Sequence, residues 1–364
     1  MLHKSCYYLG VGLLALAVSQ CSCKAESIYD TTEFELTWKR NEQELQISEL
    51  ALSQAKGLTC YVPAEDAVYF LNHDGKGWMF TQTPEGLDYT AISDLGAFDI
   101  DNAFVFAAGS EEEQALYFGQ VSGDVIALKK CTAGAWQDAG QVQIENLFPG
   151  YTWGSKTATA DKSYVVSCTF RADDQLKGCL TLQLSNSSTH EHKIGLLVFD
   201  PSTQSFTTPT LLASQAGQGF TTAVEVEQPG TIAVGKKVAN GSDSFSILPI
   251  KSNSNATPVP ARAKDSFNRW FSCSLRLQGS FPTAVPIFFV SQSGEDIENA
   301  YRLDDKNIIV PIGKLPEELK ESKFPLILPF GKEGEVYLVT ENSEGESIVF
   351  RGTLKRLTGK AKKP

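Results

Sequence analysis

The chain has 364 residues, of which 42% are hydrophobic, 21% charged and 10% aromatic. This apolar fraction excludes an intrinsically disordered chain, a collagen and a coiled coil, because it is large enough to bury a sizeable core. The 32 Lys and Arg against 43 Asp and Glu give a net charge of −11, which disfavours nucleic acid or an anionic membrane surface as a partner, since both attract basic proteins.

The first 25 residues have the pattern of an export signal. Lys4 supplies the positive start, and the apolar run at residues 9–18 is too short to cross a bilayer. Cys23 follows this run, and the arrangement resembles the site where bacterial lipoproteins are cleaved and acylated. We therefore predict a signal peptide over residues 1–22 and lipidation at Cys23. Cys21 is the alternative acylation site.

The resemblance to lipoproteins implies a location and a domain plan. Residues 23–32 are expected to tether a folded part, residues 33–357, to the outer membrane of a Gram-negative cell envelope, with the lipid as the only membrane contact. Residues 358–364 contain three lysines and are predicted to form a basic tail. Cleavage without acylation, which would leave a soluble periplasmic or secreted protein, is the alternative.

The body of the chain consists of short β-branched and aromatic runs between Gly, Asn, Asp and Ser turns, which is typical of all-β folds. Similar units begin at residues 67, 115, 163, 231, 285 and 335, and each has further apolar runs before and after it, four strands in all. The repeat predicts a single β-propeller of six four-stranded blades. Seven blades and a tandem of two-sheet sandwiches are the alternatives.

The second unit shows the repeat most clearly. Residues 109–142 contain an acidic approach, an aromatic strand, a Gly-containing hairpin, an aliphatic strand and a Gly-x-Trp sequence. This order resembles the repeats of periplasmic TolB-type β-propellers, and in outline the resemblance covers about residues 58–357. It implies an architecture and no particular activity.

A strand that belongs to none of the units precedes them. Residues 33–40 contain the sequence Phe-Glu-Leu-Thr-Trp at positions 34–38. A ring of blades needs closure, because an open sheet edge invites aggregation. We predict that this strand pairs with residues 348–357 and completes the last blade.

Five cysteines lie in the predicted propeller, without a Cys-x-x-C motif or zinc-type spacing. Cys168 and Cys179 flank a turn-like segment, so a hairpin would place them opposite each other, and we predict a disulfide between them. The pairing of Cys60, Cys131 and Cys273 stays open.

Aromatic and charged residues in the loops between blades are the candidate binding site, because such loops gather at one mouth of a propeller channel and flat rings beside polar groups suit sugars or peptides. The candidates are Asp99, Asp101, Tyr151, Trp153, Arg269 and Trp270. The alternative is that the rings wedge the blades together and the aspartates bond at strand edges. No metal is expected at Asp99 and Asp101 or at His190 and His192.

No nucleophile-elbow, nucleotide-binding or zincin motif occurs, and the chain has four histidines. These observations predict a non-catalytic cell-envelope lipoprotein, a monomer or a subunit of an envelope complex, which binds a protein partner or a glycan without a cofactor. A glycan-active hydrolase or lyase that uses carboxylates at the propeller channel is the alternative.

Overall fold

A computed structural model of the chain describes residues 34–41, 45, 57–154, 165–214, 219–236, 244–250, 258–263, 267–277, 283–292, 297–304, 306–319, 326–330, 334–341 and 346–357. Over these residues the structure is all-β, and it contains six antiparallel four-stranded units, which we call blades I to VI. The predicted signal peptide, tether and basic tail, including Cys21 and Cys23, lie outside the described residues.

The N-terminal strand is β1 (Phe34–Asn41). Blade I contains β2 (Gly57–Val62), β3 (Ala67–Asn72), β4 (Gly77–Thr83) and β5 (Gly86–Ile92). A 3-10 turn (Ile100–Asn102) leads into blade II, which contains β6 (Ala103–Gly109), β7 (Gln114–Ser122), β8 (Val125–Thr132) and β9 (Ala135–Gln143). The connection to blade III holds the one-turn helix α1 (Ile144–Leu147) and β10 (Thr152–Trp153).

Blade III contains β11 (Val165–Ala172), β12 (Gln175–Ser185), β13 (His192–Asp200) and β14 (Ser205–Ala213). Blade IV contains β15 (Phe220–Glu225), β16 (Thr231–Lys236), β17 (Ser244–Pro249) and β18 (Val259–Pro260). The short β19 (Arg262–Ala263) pairs in parallel with the last strand of blade V. Blade V contains β20 (Phe267–Leu277), β21 (Thr283–Gln292), β22 (Ile297–Leu303) and β23 (Ile308–Lys314).

After a 3-10 turn (Glu317–Leu319), blade VI contains β24 (Leu326–Phe330), β25 (Glu335–Glu341) and β26 (Ser347–Arg356). Its fourth strand is β1, which pairs with β26 from Phe34 opposite Arg356 to Asn41 opposite Val349. The predicted closure of the last blade by the N-terminal strand is confirmed.

The described blades form a closed ring. The first strand of each blade contacts the first strand of the next, in the order β2, β6, β11, β15, β20 and β24, and β24 contacts β2 again. Six clusters of buried apolar side chains accompany these contacts, and each cluster lies at the seam between two neighbouring blades. A second strand such as β3 is therefore buried on both faces, with all six residues below the surface.

The turns between strands carry residues that tolerate a left-handed backbone. Asp173 and Asp174 form the two-residue turn between β11 and β12 with φ angles of 52° and 58°, as a type I′ hairpin requires. Because the strands are antiparallel, the turns from first to second and from third to fourth strands lie on one side of the ring. We call this side the turn face and the other side the connection face.

One sequence-based assignment was wrong. The unit predicted to begin at residue 163 falls on the first strand of blade III, β11, whereas the other units begin with second strands. The second strand of blade III is β12, which begins at Gln175. The two strands are similar in apolar content, so composition alone did not distinguish them.

The closing strand is anchored by buried contacts with blade V. Phe34 is 1% exposed, and the guanidinium carbon of Arg302 lies 4.4 Å from the centre of its ring. A Cβ atom on Gly313 would lie 2.3 Å from the carbonyl oxygen of Leu36, so the close approach of β1 to β23 requires glycine at this position.

We predict that Phe34→Ala lowers the free energy of unfolding by about 3–5 kcal/mol, the usual cost of truncating a buried phenylalanine. Urea denaturation followed by tryptophan fluorescence measures the change. Glu35→Ala, an exposed position on the same strand, is the control and should change the free energy by less than about 0.5 kcal/mol. Equal effects of the two substitutions would contradict the anchoring role of β1.

Candidate functional site

Blades I, II and III enclose a cavity of about 430 Å³ at the turn face, which we call the interblade pocket. Blade II contributes the ends of β6 and β8 and the start of β7. Blade III contributes Gln175 and the turn between β13 and β14, with Ser202 and Gln204, and blade I contributes Glu65. The volume is in the range of small-molecule sites.

Small side chains open the interblade pocket. Ala108 and Ala115 lie directly opposite each other on β6 and β7, and both line the pocket. Gly109, with a φ angle of 148°, ends β6 where a Cβ atom would lie 1.9 Å from the carbonyl oxygen of Glu113. Aromatic rings therefore fill the middle of the seam between blades II and III, whereas the end of the seam at the turn face is a cavity.

Tyr117 and Lys130 lie at the floor of the interblade pocket, directly opposite each other on β7 and β8. The Tyr117 side chain is 2% exposed, and its ring centre lies 5.4 Å from that of Phe106 and 4.7 Å from that of Phe199. Burial raises the pKa of the Tyr117 hydroxyl, so the group stays protonated at neutral pH. Among the described residues neither the Tyr117 hydroxyl nor the Lys130 ammonium has a hydrogen-bond or ion-pair partner.

One hydrogen bond between blades I and II and one within blade I fix one rim of the interblade pocket. The backbone N–H of Ala64 donates to Oε1 of Gln114 at 2.9 Å, and the Tyr69 hydroxyl donates to Oε2 of Glu65. Burial and this bond raise the pKa of Tyr69, which keeps it a donor. Glu113, the second carboxylate of the pocket, has its side chain exposed.

A second cavity, of about 210 Å³, lies on the ring axis, because its lining comes from the first strands of all six blades. Three thiols line it, from Cys60, Cys168 and Cys273. Among the described lining residues Glu225 is the one carboxylate, and it accepts a hydrogen bond from the backbone N–H of Arg171 at 2.8 Å. We call this cavity the axial cavity.

The five cysteines among the described residues are buried. Burial raises the pKa of Cys60 and of Cys273 to about 12, and that of Cys131, which lines the interblade pocket, to about 11. Because a thiolate is the nucleophilic form, these thiols are not activated for covalent catalysis. Within the described part of the chain, no group of three or more His, Cys, Asp and Glu could hold a metal ion.

The structure places Asp99 and Asp101 on the connection face, between blades I and II. The Asp99 carboxylate caps the 3-10 turn, accepting from the backbone N–H of Asp101 at 3.1 Å and from the side-chain amide of Asn102 at 2.8 Å. The Asp99 carboxylate therefore bonds within its own turn, and not at a strand edge as the alternative expected. Neither aspartate lines the interblade pocket or the axial cavity.

Tyr151 and Trp153 lie in the connection between blades II and III. The Tyr151 hydroxyl donates to Oε2 of Glu191 at 2.8 Å, and Trp153 packs against the buried cluster of this seam. Burial and the bond to Glu191 raise the pKa of Tyr151. Both rings therefore pack between blades II and III, at the opposite end of this seam from the interblade pocket.

Arg269 and Trp270 were expected in a connecting loop, but both belong to β20, the first strand of blade V. The segment is rich in aromatic and β-forming residues, and pairing with β21 extends the strand to Phe267. All three predicted pairs lie toward the connection face, and none of the six residues is among the described lining residues of the interblade pocket or the axial cavity.

Cys168 and Cys179 are directly opposite each other on β11 and β12, as the hairpin predicted. Both thiols are free, so the predicted disulfide is not present. The hydrogen bond between the two thiols and their burial hold the pKa of Cys168 well above its usual range. The strand pairing places the two sulfurs next to each other, but the formation of a disulfide also requires an oxidant.

Sequence reasoning missed Tyr117, Lys130 and the alanines of the interblade pocket. Tyr117 lies within the aromatic strand that indicated the repeat, and its type alone indicates core packing. The one available signal was Lys130, a lysine within an apolar strand, and its meaning depends on which residue faces it across the sheet.

No protein-family model matches the chain, and no curated protein matches it. Several solved structures are similar in fold. An α-L-arabinanase of Penicillium chrysogenum, complexed with arabinobiose, is 10% identical with a TM-score of 0.52, covering 84% of this chain and 95% of that chain. A Bacteroides thetaiotaomicron protein of unknown function is 11% identical with a TM-score of 0.50, covering 89% and 77%.

A fungal lectin from Aleuria aurantia, described as a six-bladed β-propeller with a novel fucose recognition mode, is 13% identical with a TM-score of 0.46. The match covers 84% of this chain and 96% of the lectin. At these identities the similarity concerns the fold alone. The β-propeller predicted from the repeat is the fold of this chain.

We predict that the native thiols react slowly with iodoacetamide. A pKa three units above the usual value lowers the thiolate fraction about 10³-fold near pH 8, so Cys60 and Cys273 should be labelled at least about 100-fold more slowly in the folded protein than in urea. Mass spectrometry of the cysteine-containing peptides measures the rates. Cys168 and Cys179 should label fully in urea without reductant, and labelling only after reduction would show that they form a disulfide.

Proposed function

We propose that this protein is a non-catalytic binding protein of the cell envelope, whose propeller holds a glycan in the interblade pocket. The observation that supports this proposal is a pair of donors, Tyr117 and Lys130, that line the pocket and have no partner among the described residues. A ligand oxygen could accept a hydrogen bond from each of these two groups.

The lining of the interblade pocket suits a polyhydroxylated ligand. Each sugar hydroxyl can both donate and accept a hydrogen bond. The amides of Gln175 and Gln204 also do both, the Glu113 carboxylate accepts, and the Lys130 ammonium donates. The Ala64–Gln114 bond between blades I and II and the Tyr69–Glu65 bond within blade I fix the rim, which lowers the entropic cost of ordering it on binding.

Carboxylate placement favours binding over hydrolysis. Glycoside hydrolysis generally uses two carboxyl groups that flank the scissile bond. Glu225 is the one carboxylate among the described residues of the axial cavity. Of the two carboxylates of the interblade pocket, Glu65 is engaged by the Tyr69 hydroxyl, which leaves Glu113 alone without a side-chain hydrogen bond among the described residues. The similarity to the arabinanase concerns the fold, so the proposal rests on the pocket.

The cell-envelope location is part of the proposal and rests on the N-terminal sequence. The apolar run at residues 9–18 followed by Cys23 supports export and lipidation. About eleven residues, 23–33, would then separate the lipid from β1, a reach of at most about 40 Å. Among the residues that the structure describes, no helix has the length and apolar character needed to cross a bilayer.

We predict that Thr132→Trp abolishes or weakens glycan binding at least tenfold, because residue 132 lines the exposed rim and an indole there would fill the interblade pocket. A glycan array identifies ligands of the wild type, and calorimetry measures the affinities. Thr90→Trp, an exposed threonine on the outer strand of blade I, is the matched control and should bind as the wild type does.

Equal loss in both variants, or none in either, would remove the interblade pocket as the site. Retention of envelope proteins but of no glycan on the immobilised wild type would indicate a protein partner instead. Release of reducing ends from a bound glycan, lost in Glu113→Gln, would establish a hydrolase that uses the interblade pocket, in place of the channel carboxylates of the alternative.

We further predict that a radiolabelled fatty acid is incorporated into the wild type in a Gram-negative host and not into Cys23→Ala. Cys23 supplies the thiol that lipoprotein processing acylates. Gel electrophoresis and autoradiography measure the incorporation. Label that persists in Cys23→Ala and disappears in Cys21→Ala would move the site to Cys21, and the absence of label from the wild type would refute the anchor.

A further inference from the structure

The two unpartnered donors of the interblade pocket are neighbours. Tyr117 and Lys130 face each other across β7 and β8, so their Cβ atoms lie about 4.5–5.5 Å apart and their side chains leave the same face of the sheet. Both side chains line the same cavity. A hydroxyl and an ammonium that converge on one space are both able to donate to a single ligand group.

The residues around the Tyr117 hydroxyl and the Lys130 ammonium leave both groups available to a ligand. Tyr117 is 98% buried, and its ring lies between Phe106 and Phe199, so packing fixes the place where its hydroxyl meets the pocket. Lys130 is the one cation among the described residues that line the pocket, and it is half-buried. Neither group has a partner among the described residues, although a half-buried ammonium is stabilised by an opposite charge.

We propose that the ligand of the interblade pocket is an acidic glycan, whose carboxylate accepts hydrogen bonds from the Tyr117 hydroxyl and the Lys130 ammonium. The inference rests on the proposed glycan-binding function and adds the class of glycan. A carboxylate has four acceptor sites and no donor, which complements two donors. Bonds in which both partners are charged are shorter and stronger than neutral ones.

The acidic residues at the turn face do not reverse this preference. Glu111 and Glu112 are exposed on the turn between β6 and β7 and do not line the pocket, so solvent and salt weaken their repulsion of an anionic ligand. Asp173 is paired with Lys177 at 2.9 Å. The carboxylates that do line the pocket, Glu65 and Glu113, belong to its rim and can accept from the hydroxyls of a sugar.

The donor pair also predicts selectivity. A neutral sugar would satisfy the Tyr117 hydroxyl but would leave the Lys130 ammonium without an ion-pair partner. An amino sugar would place a second cation beside the ammonium. Specificity then follows from the cost of each mismatched ligand as well as from the bond to the matched one.

The test compares acidic polysaccharides with their neutral counterparts. Hyaluronan, alginate and polygalacturonate are each paired with a carboxyl-reduced form, and all are presented to the wild type in biolayer interferometry at physiological salt. We expect at least one acidic polymer to bind ten-fold or more tightly than its reduced form. Reduced forms that bind as well as the acidic ones, or binding of neutral glycans only, would overturn the inference and leave glycan binding intact.

Substitutions then assign the effect to the donor pair. Lys130→Met should weaken binding of the acidic polymer at least tenfold, towards the affinity of the reduced form, and Tyr117→Phe should weaken it about three- to tenfold while the ring packing is retained. Lys129→Met is the matched control, because Lys129 lies on the other face of the same strand and faces Asp138. It should stay within twofold of the wild type.

Equal affinities of Lys130→Met and Lys129→Met would overturn the role of the donor pair. Circular dichroism of each variant shows whether it is folded. Absence of binding to every glycan, acidic or neutral, would refute the proposed function itself, and so the two failures are distinguishable.

Discussion

The pairing of β1 with β26 is the contact on which the rest of the structure depends. A ring of blades has no free ends only if its last sheet is completed, and here the completing strand comes from the other end of the chain. Phe34 and Leu36 of β1 also enter the buried cluster between blades V and VI. The same strand therefore supplies the edge pairing of one sheet and part of the core of a seam.

Closure explains the distribution of the buried residues. Each blade presents two faces to its neighbours, and the six seam clusters bury both faces of the inner strands. The interblade pocket arises where one seam is filled incompletely, because Ala108 and Ala115 stand at the end of strands that carry aromatic rings further along. The same packing that fills the seam holds Tyr117 with its hydroxyl at the edge of the space.

Much of the fold was predictable from the sequence. Short strands in a repeat of about 50 residues predicted a ring of blades. The strand at residues 33–40, which belongs to none of the repeat units, predicted the closure of that ring. The error at blade III arose because β11 and β12 have similar apolar patterns, so the unit was started one strand early. The facing positions of Cys168 and Cys179 followed from the hairpin, whereas the oxidation state of their sulfurs did not.

The site was less predictable, for a physical reason. An aspartate such as Asp99 is a residue type that often binds ligands, but here its carboxylate accepts a hydrogen bond from the backbone of its own turn. Tyr117 has the type of a core residue, and it becomes a binding group only because the space beyond its hydroxyl is empty. Side-chain type is visible in a sequence, whereas the volume left between two blades is not.

A crystal structure of the protein with a bound acidic oligosaccharide tests the central claim most directly. The account predicts density for the sugar between blades II and III at the turn face, with a carboxylate within hydrogen-bond distance of the Tyr117 hydroxyl and the Lys130 ammonium. Density in the axial cavity or on the connection face, with the interblade pocket empty, would contradict it.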